Sequence, residues 1–486
     1  MKEVFLEKNQ SYMLRIVEEL YKTPNKEISY IKLSEKLNID RRAVNRLITE
    51  LINYDKQQEK PHFSYNKHIL KERYPNPPHP SELLHIMIED SVKYKIIKSL
   101  FLNEDSNGTD LSYDLCVSRS VFQKHVAGLR KLMKDYELNL SFHSKETIKG
   151  RELQVRYFYN ALFWELSLCD SYLNLPVIQN VTKMLLRINP DIDYFSMQRF
   201  NLSVFILLKR TQNKHFIRLR EEFFIENHPL ISYDDFYREV KEAGVLKYCT
   251  EPGTEQVECE NLYLLFCTIS PIPLDYEKNN VDIVYHTDDI ADSFVELLGR
   301  EFDFTLQKNE INYIKINLYY FNKLANLYKG PSPIFGVQNF DEKLKLLLPK
   351  DYRIIHETLN IFVARFPEAA KMIERFPIVR NIYGLLLTTI FKEHKPKLRI
   401  LLQSKASPLQ REQMIWVIKS VSLFPIDVLS ISQLGGELPD AVISDWIPPD
   451  ICKSTPFFNL SSVSNISNFT TLEAFICKQL DGVFIN

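Results

Sequence analysis

One pattern constrains this chain more than any other feature, because it occurs twice. In the segment Leu33–Ile48, Leu33 and Leu37 lie four apart, on one face of a short helix. Asn38 tolerates the left-handed turn usually given to Gly. Ile39 fills the gap between two helices, and Asp40 is a good N-cap for the second of them. Val44, Leu47, Ile48 and Leu51 then make a buried stripe. This leaves Arg41, Arg42, Asn45, Arg46 and Thr49 outward, near the N-terminal half of a helix at 41–53. In a helix-turn-helix that half enters the major groove, where Arg matches guanine O6/N7 and Asn matches adenine N6/N7.

The pattern returns 78 residues later. Leu111, Ser112, Leu115, Arg119 and Leu129 repeat Leu33, Ser34, Leu37, Arg41 and Leu51 identically. Val117, Phe122 and Val126 repeat the apolar character of their counterparts. Ser118 is again an N-cap, and Arg119, Ser120, Gln123 and Lys124 take the exposed positions of a helix at 119–132. His125 falls opposite Leu47, where an apolar residue is usual, so the second unit is expected to pack differently. Each unit is followed by a segment able to pair as a wing: His62–Leu70 after the first, Leu138–Phe142 and Thr147–Lys149 after the second. A wing adds phosphate contacts from Lys and His at a hairpin tip. The Pro-rich stretch Tyr74–Pro80 reads as a stiff connector between the two units.

Composition supports this assignment mainly by exclusion. The chain has 486 residues, enough for several domains, and only 12 Gly. Little glycine argues against phosphate-cradling loops, and the motifs GxGxxG, Walker A, HExxH, GxSxG and CxxC are all absent, so no enzyme, cofactor or metal site is expected. Seven Cys without CxxC spacing suit reduced thiols. The start MKEVFLEKNQ lacks a signal-peptide pattern, and no apolar run approaches the ~18 residues of a membrane span. A cytoplasmic protein without membrane contact is the expectation. Residues 1–160 carry 27 Lys and Arg against 22 Asp and Glu, whereas the remainder carries 34 against 40. A basic front on an acidic rear suits a DNA-binding head on a regulatory body.

Behind the head the chain is mainly amphipathic helix to about residue 392, for example at Tyr157–Leu168, Phe200–Leu208, Leu262–Thr268, Ile311–Tyr328 and Asn381–Phe391. The rhythm lapses near Pro271–Asn280, which predicts two helical bundles. The last ninety residues alternate strand candidates (Leu398–Leu402, Ile426–Ile431, Ala441–Ile443, Phe457–Leu460) with helices at Leu409–Lys419 and Leu472–Leu480, predicting a small open α/β sheet. The fold class is therefore mainly α and multidomain. The expected divisions are a first winged helix-turn-helix at 1–73, a second helix-turn-helix at 81–159, helical domains at 160–275 and 276–393, and an α/β domain at 396–486.

This layout resembles the Mga/AtxA-type virulence regulators of Gram-positive bacteria. The resemblance rests on the paired helix-turn-helix units, on the turn Gly150-x-Glu152-x-x-Val155-Arg156 that enters the helices, and on the domain order. It implies regulation domains of the kind controlled by the sugar phosphotransferase system, and a tail similar to that system's EIIB component. It further implies transcription activation on promoter DNA, a homodimer formed through the C-terminal region, and tuning by histidine phosphorylation from the phosphocarrier protein. Where the regulatory histidines would stand, this chain has Arg199 and Phe200 in one place and Leu and Thr at Leu386–Thr389 in the other. His215, His228, His286 and His356 are the nearby phosphorylation candidates. A working EIIB places a Cys after its first strand, whereas here the loop Gln403–Pro408 has none. Two other readings are an RNA-binding antiterminator sharing the helical domains and a non-catalytic scaffold related to the phosphotransferase system. The first would use a β-rich head, which this N-terminus does not spell.

Overall fold

In the computed structural model the chain divides into two compact units, residues 1–383 and 384–486. The structure describes residues 2–23, 25–55, 63–66, 68–72, 80–102, 107–142, 147–166, 170–218, 225–276, 289–302, 305–331, 345, 349–394, 397–420, 426–435, 437–445, 455–459, 471–472, 474–476 and 479. These residues are mainly helical, and the largest sheet is near the C-terminus, in line with the expected mainly α class.

The first unit opens with helices α1 (Lys2–Phe5) and α2 (Lys8–Tyr21), strand β1 (Glu27–Ser29), helices α3 (Tyr30–Leu37) and α4 (Arg41–Asp55), and the hairpin β2 (Phe63–Asn66) and β3 (Ile69–Glu72). The strands form an antiparallel sheet in the order β1-β3-β2. Ile16, Val17, Leu20, Leu33, Val44, Leu47, Ile48, Leu51 and Leu70 are all buried. The periodicity of three and four places the helical residues of this set on facing stripes with Leu70 of β3 beside them, and each contributes about 1.5–3 kcal/mol by leaving water. Asn38 is left-handed at φ 53°, and the Ser34 hydroxyl donates to the Ile39 carbonyl at 2.7 Å, so the turn is held from both sides. The carboxylate of buried Asp55 accepts from the Phe63 amide at 2.8 Å, fixing where the wing starts.

The second unit of the repeat follows: α5 (Pro80–Glu89), α6 (Val92–Leu102), α7 (Gly108–Asp114), α8 (Arg119–Lys134), and the short strands β4 (Asn139–Leu140) and β5 (Ile148–Lys149), which pair antiparallel. Pro80 sits in the first turn of α5, where a missing amide donor costs nothing; the rest of the Tyr74–Pro80 connector lies outside the described residues. Cys116, 78 residues after Asn38, is left-handed at the same φ of 53°, so the repeat extends to backbone geometry. The two helix-turn-helix units touch directly. Helix α2 packs on α5, and α1 packs on α6 and α8. The Ser91 hydroxyl donates to the Phe5 carbonyl at 2.7 Å, and the Tyr54 hydroxyl donates to Asp90 at 3.2 Å.

Helix α9 (Glu152–Leu166) is buried on every side from Leu153 to Phe163, as suits the centre of a bundle. Helix α11 (Tyr194–Gln212) packs along it; α10 (Pro176–Ile188) and α13 (Thr254–Ile269) pack on α11, and α12 (Tyr233–Glu242) packs on both α10 and α13, followed by α14 (Asp289–Glu301), α15 (Lys308–Leu327), α16 (Pro349–Arg365) and α17 (Pro367–Arg375). Helix α18 (Ile378–His394) runs from the first unit into the second. Helices α13 and α15, on either side of the lapse near Pro271–Asn280, pack against each other. The Asn317 amide seals that seam by accepting from the Ile272 amide and donating to its carbonyl, both at 3.0 Å.

In the second unit, β6 (Leu398–Gln403), helix α19 (Pro408–Ser420), β7 (Ile426–Leu429), β8 (Ala441–Ser444) and β9 (Phe457–Asn459) build a parallel sheet in the order β7-β6-β8-β9. Leu398, Ile400, Leu402, Ile418, Ile426 and Ile443 form its main core. Leu401, Leu434 and Val442 pack on the opposite face, which explains why β6 reads as a continuous apolar run.

Candidate nucleic-acid interface

On α4 the side chains of Arg41, Arg42, Asn45, Arg46 and Thr49 are all exposed, while Val44, Leu47 and Ile48 face inward. The outward set therefore forms one stripe along the first two turns. Its polar atoms are partly spoken for. The Thr49 hydroxyl donates to its own helix at Asn45 O, 2.9 Å away, which leaves its methyl outward. Arg46 lies 3.9 Å from Glu50, a loose exposed pair of small energetic value. The Tyr65 hydroxyl, on the wing strand β2, donates to Asn45 Oδ1 at 2.5 Å. Burial, with a smaller contribution from Tyr30, raises the Tyr65 pKa, so the hydroxyl stays a donor. At the hairpin tip His68 is exposed and left-handed at φ 67°, and its ring stands 4.9 Å from that of Tyr30. Lys67 and His62 of the expected wing lie outside the described residues.

On α8 the side chains of Arg119, Ser120, Gln123 and Lys124 are likewise exposed, and Phe122, Val126 and Leu129 are buried. Ser118 caps the helix by accepting from the Val121 amide at 3.4 Å, and its hydroxyl lies 3.1 Å from that of Ser120. His125 is half-buried where α1 covers α6 and α8. Burial, followed by the Lys93 charge, lowers its pKa. The second unit thus differs from the first at this position: His125 is half-buried where Leu47 is fully buried.

Sequence reasoning missed three contributors to this surface. Ala127 and Lys131 extend the exposed stripe of α8 by another turn, and simple counting by three and four from Gln123 and Lys124 would have found them. Tyr65 was missed because its partner, Asn45, lies 20 residues away on another element.

Residues 79–163 match the family model of the Mga helix-turn-helix domain. The chain carries a Mga-type helix-turn-helix domain. The match runs from the start of α5 into α9, so it covers the second unit of the repeat and its entry into the helical body. The Mga-type domain makes the protein a DNA-binding transcriptional regulator. No curated protein sequence matches the chain. Among the described residues no helix is long and apolar enough to cross a membrane.

The Mga-type domain is fixed to the body that follows it. Tyr136, just past α8, and Tyr157 on α9 both donate to the Pro331 carbonyl, at 3.0 and 3.2 Å. The Gln154 amide exchanges hydrogen bonds with the Lys329 backbone, and Lys329 forms an ion pair with Glu137. Between them Gly330 is left-handed at φ 104°, and a Cβ there would lie 2.7 Å from the Asp135 carbonyl oxygen. The Gly150–Arg156 turn has a related purpose. Glu152 accepts from Arg156 Nε at 2.8 Å and from Arg210 at 2.9 and 2.7 Å, while Arg156 also engages the fully buried Glu258. Burial alone would raise the Glu152 pKa, but hydrogen bonding and charge from Arg210 and Arg156 hold it below the usual carboxylate range.

The four histidines are scattered. His215 is half-buried after α11, and its carbonyl accepts from Arg156 at 2.8 Å. His228 is buried against Phe266 and Tyr320, and burial lowers its pKa to about 3. His356, on α16, lies 3.1 Å from the Asn360 amide nitrogen. His286 lies outside the described residues. Arg199, in the place of a regulatory histidine, packs over the Trp164 ring at 5.5 Å, and burial lowers its pKa to about 10. In the second unit, the loop after β6 is closed by Ser404 donating to Asp445 at 2.6 Å; Cys452 and Cys477 lie outside the described residues.

Proposed function

We propose that the protein activates promoters as a homodimer, presenting the stripes of α4 and α8 to successive stretches of the same duplex. The observation that carries this reading is the pair of exposed basic stripes, one per helix-turn-helix, held on one head by direct contact between the units. Arg41, Arg42, Asn45 and Arg46 supply base and phosphate contacts from α4, and Arg119, Gln123 and Lys124 supply them from α8. Dimerisation falls to the C-terminal unit. Its helix α19 exposes Leu409 and Trp416, each 71% accessible, along one face with Gln413 between them. Two large apolar side chains left outward on a short helix favour burial against a partner. The helical body would serve as the regulatory layer. His356, which is half-buried, offers a phosphocarrier protein better access than His228, whose ring is enclosed.

The test is binding of the full chain to a promoter-length duplex across a salt series, for the wild type and for Arg41→Ala/Arg42→Ala and Arg119→Ala/Lys124→Ala. Affinity should fall steeply with salt, and each double variant should flatten that slope. Absence of salt-sensitive binding in the wild type would remove the reading. Dimerisation is tested separately by sedimentation of Leu409→Ser/Trp416→Ser, which should shift the chain toward monomer.

A further inference from the structure

A polar cavity of about 330 Å³ opens where the second wing, the start of α9 and the segment after α11 meet. That volume is near the lower end for small-molecule sites, which run from roughly 300 to 1,000 Å³. Its wall is cationic. Arg151, Lys214 and Arg218 line it with exposed side chains, and Arg210 forms part of its floor. Glu152 is the one acidic group among the lining residues, and its carboxylate is already shared between Arg210 and Arg156. Among the lining residues cations therefore outnumber carboxylates, beside the first turn of a fifteen-residue helix.

Two further observations show that this wall is built. The loop carrying the cations is pinned from below: the Ile217 amide donates to Glu258 Oε1 at 3.0 Å, and the His215 carbonyl accepts from Arg156. Lys214 itself occupies the left-handed position after α11, at φ 61°, with its amide donating to the Thr211 carbonyl at 3.0 Å. That position ordinarily takes Gly, because a Cβ there is strained. A lysine kept there retains a charged side chain at some expense in backbone energy, the pattern of strain held at a functional site. Arg218 has only a loose, exposed contact with Glu251 at 3.6 Å, which an entering anion would displace at little cost.

We infer that this cavity is an effector site for a small phosphate-bearing anion, held by Arg151, Lys214 and Arg218 and placed so that its occupant touches the wing of the Mga-type domain through Ile148 and Gly150. Guanidinium forks match phosphate oxygens in pairs, and three cations more than offset the charge of a dianion. The site is independent of the DNA reading, and its primary test contains no DNA.

The full chain is titrated calorimetrically with inorganic phosphate and, separately, with glycerol phosphate, at constant ionic strength. Saturable binding is expected, with tighter binding of the ester if the natural ligand is a phosphorylated metabolite and of the free ion if it is phosphate itself. The variant Lys214→Gly/Arg218→Gln should lose at least tenfold in affinity. Because Gly suits the left-handed position, its melting temperature without phosphate should equal or exceed that of the wild type. Absence of saturable binding in the wild type, or equal binding by the variant, overturns the proposal. So does a variant that keeps its phosphate affinity but binds DNA more weakly, which would make these cations contacts for the DNA backbone.

Discussion

The two helix-turn-helix units share a spacing, a left-handed turn residue and an outward basic stripe, yet they are held in different ways. The first has the fuller sheet. Leu47 is buried, strand β2 of its three-stranded sheet packs on the recognition helix, and the wing is tied to that helix through Tyr65 and Asn45. The second has a wing of two-residue strands, a half-buried His125 in place of Leu47, and polar ties to residues nearly two hundred positions away. A unit whose stability is lent by the body behind it changes when that body changes. We propose that reading falls mainly to the first and coupling mainly to the second.

The sharpest way to break this comparison is to disturb the ion network under the second unit. Glu258→Gln leaves Arg156 with part of its charge uncompensated in the interior, and such a loss costs about 3–5 kcal/mol. Urea unfolding should show it as a large fall in midpoint. Removing the exposed Lys36–Glu19 pair of the first unit by Lys36→Gln should cost at most ~1 kcal/mol. Equal effects would mean that the second unit borrows nothing from the body.

The DNA measurements come next in size. Each arginine or lysine pair removed from α4 or α8 should weaken binding on the order of ten- to a hundredfold. The comparison predicts the larger loss for Arg41→Ala/Arg42→Ala; a larger loss for Arg119→Ala/Lys124→Ala would reverse the assignment of roles.

Gly330→Ala tests the joint itself. A methyl group there meets the Asp135 backbone and adopts a left-handed conformation, and overpacking of this kind costs about 1–3 kcal/mol. The matched change in the first unit, Asn38→Ala, strains only a local turn and should cost about 1–2 kcal/mol. What distinguishes them is DNA affinity, which Gly330→Ala should alter although it lies on no stripe.

His125 offers a smaller, pH-dependent contrast. Its folded pKa is below the ordinary value of 6.5, through burial and then Lys93 and Lys124, with Glu7 opposing. The unfolded chain therefore binds the proton more readily, so stability is lost as pH falls through 6.5 toward the folded pKa. His125→Leu, which restores the residue of the first unit, should reduce the pH dependence of the melting temperature in that window. His228 titrates over the same range in both proteins and cancels in the difference.

The legible part of this molecule was the part written locally. Both helix-turn-helix spacings, the paired wings after them and the strands of the C-terminal sheet follow from periods of two and three to four within a few turns of chain. The Glu152 and Arg156 spacing stood out in the sequence, but its reason did not, because Glu258 lies 102 residues beyond Arg156. The cationic cavity was invisible for the same cause: Arg151 and Arg218 come from opposite ends of a helical pair, and only the fold makes them neighbours. Stripes of exposed residues can be counted from sequence, whereas joints between elements have no period to count.

The smallest effect probes how the first unit reads. The Tyr65 hydroxyl occupies one lone pair of Asn45 Oδ1 and so holds the amide in one orientation. Tyr65→Phe removes one hydrogen bond, a loss of about 0.5–1.5 kcal/mol, without touching any charge. Binding should weaken severalfold, the salt slope should stay as in the wild type, and discrimination for adenine at one position should relax. An altered salt slope would mean that Tyr65 contacts phosphate directly. An unchanged affinity would mean that Asn45 is not a reader, and the first unit would then rely on its arginines, as proposed for Arg119 and Lys124 in the second.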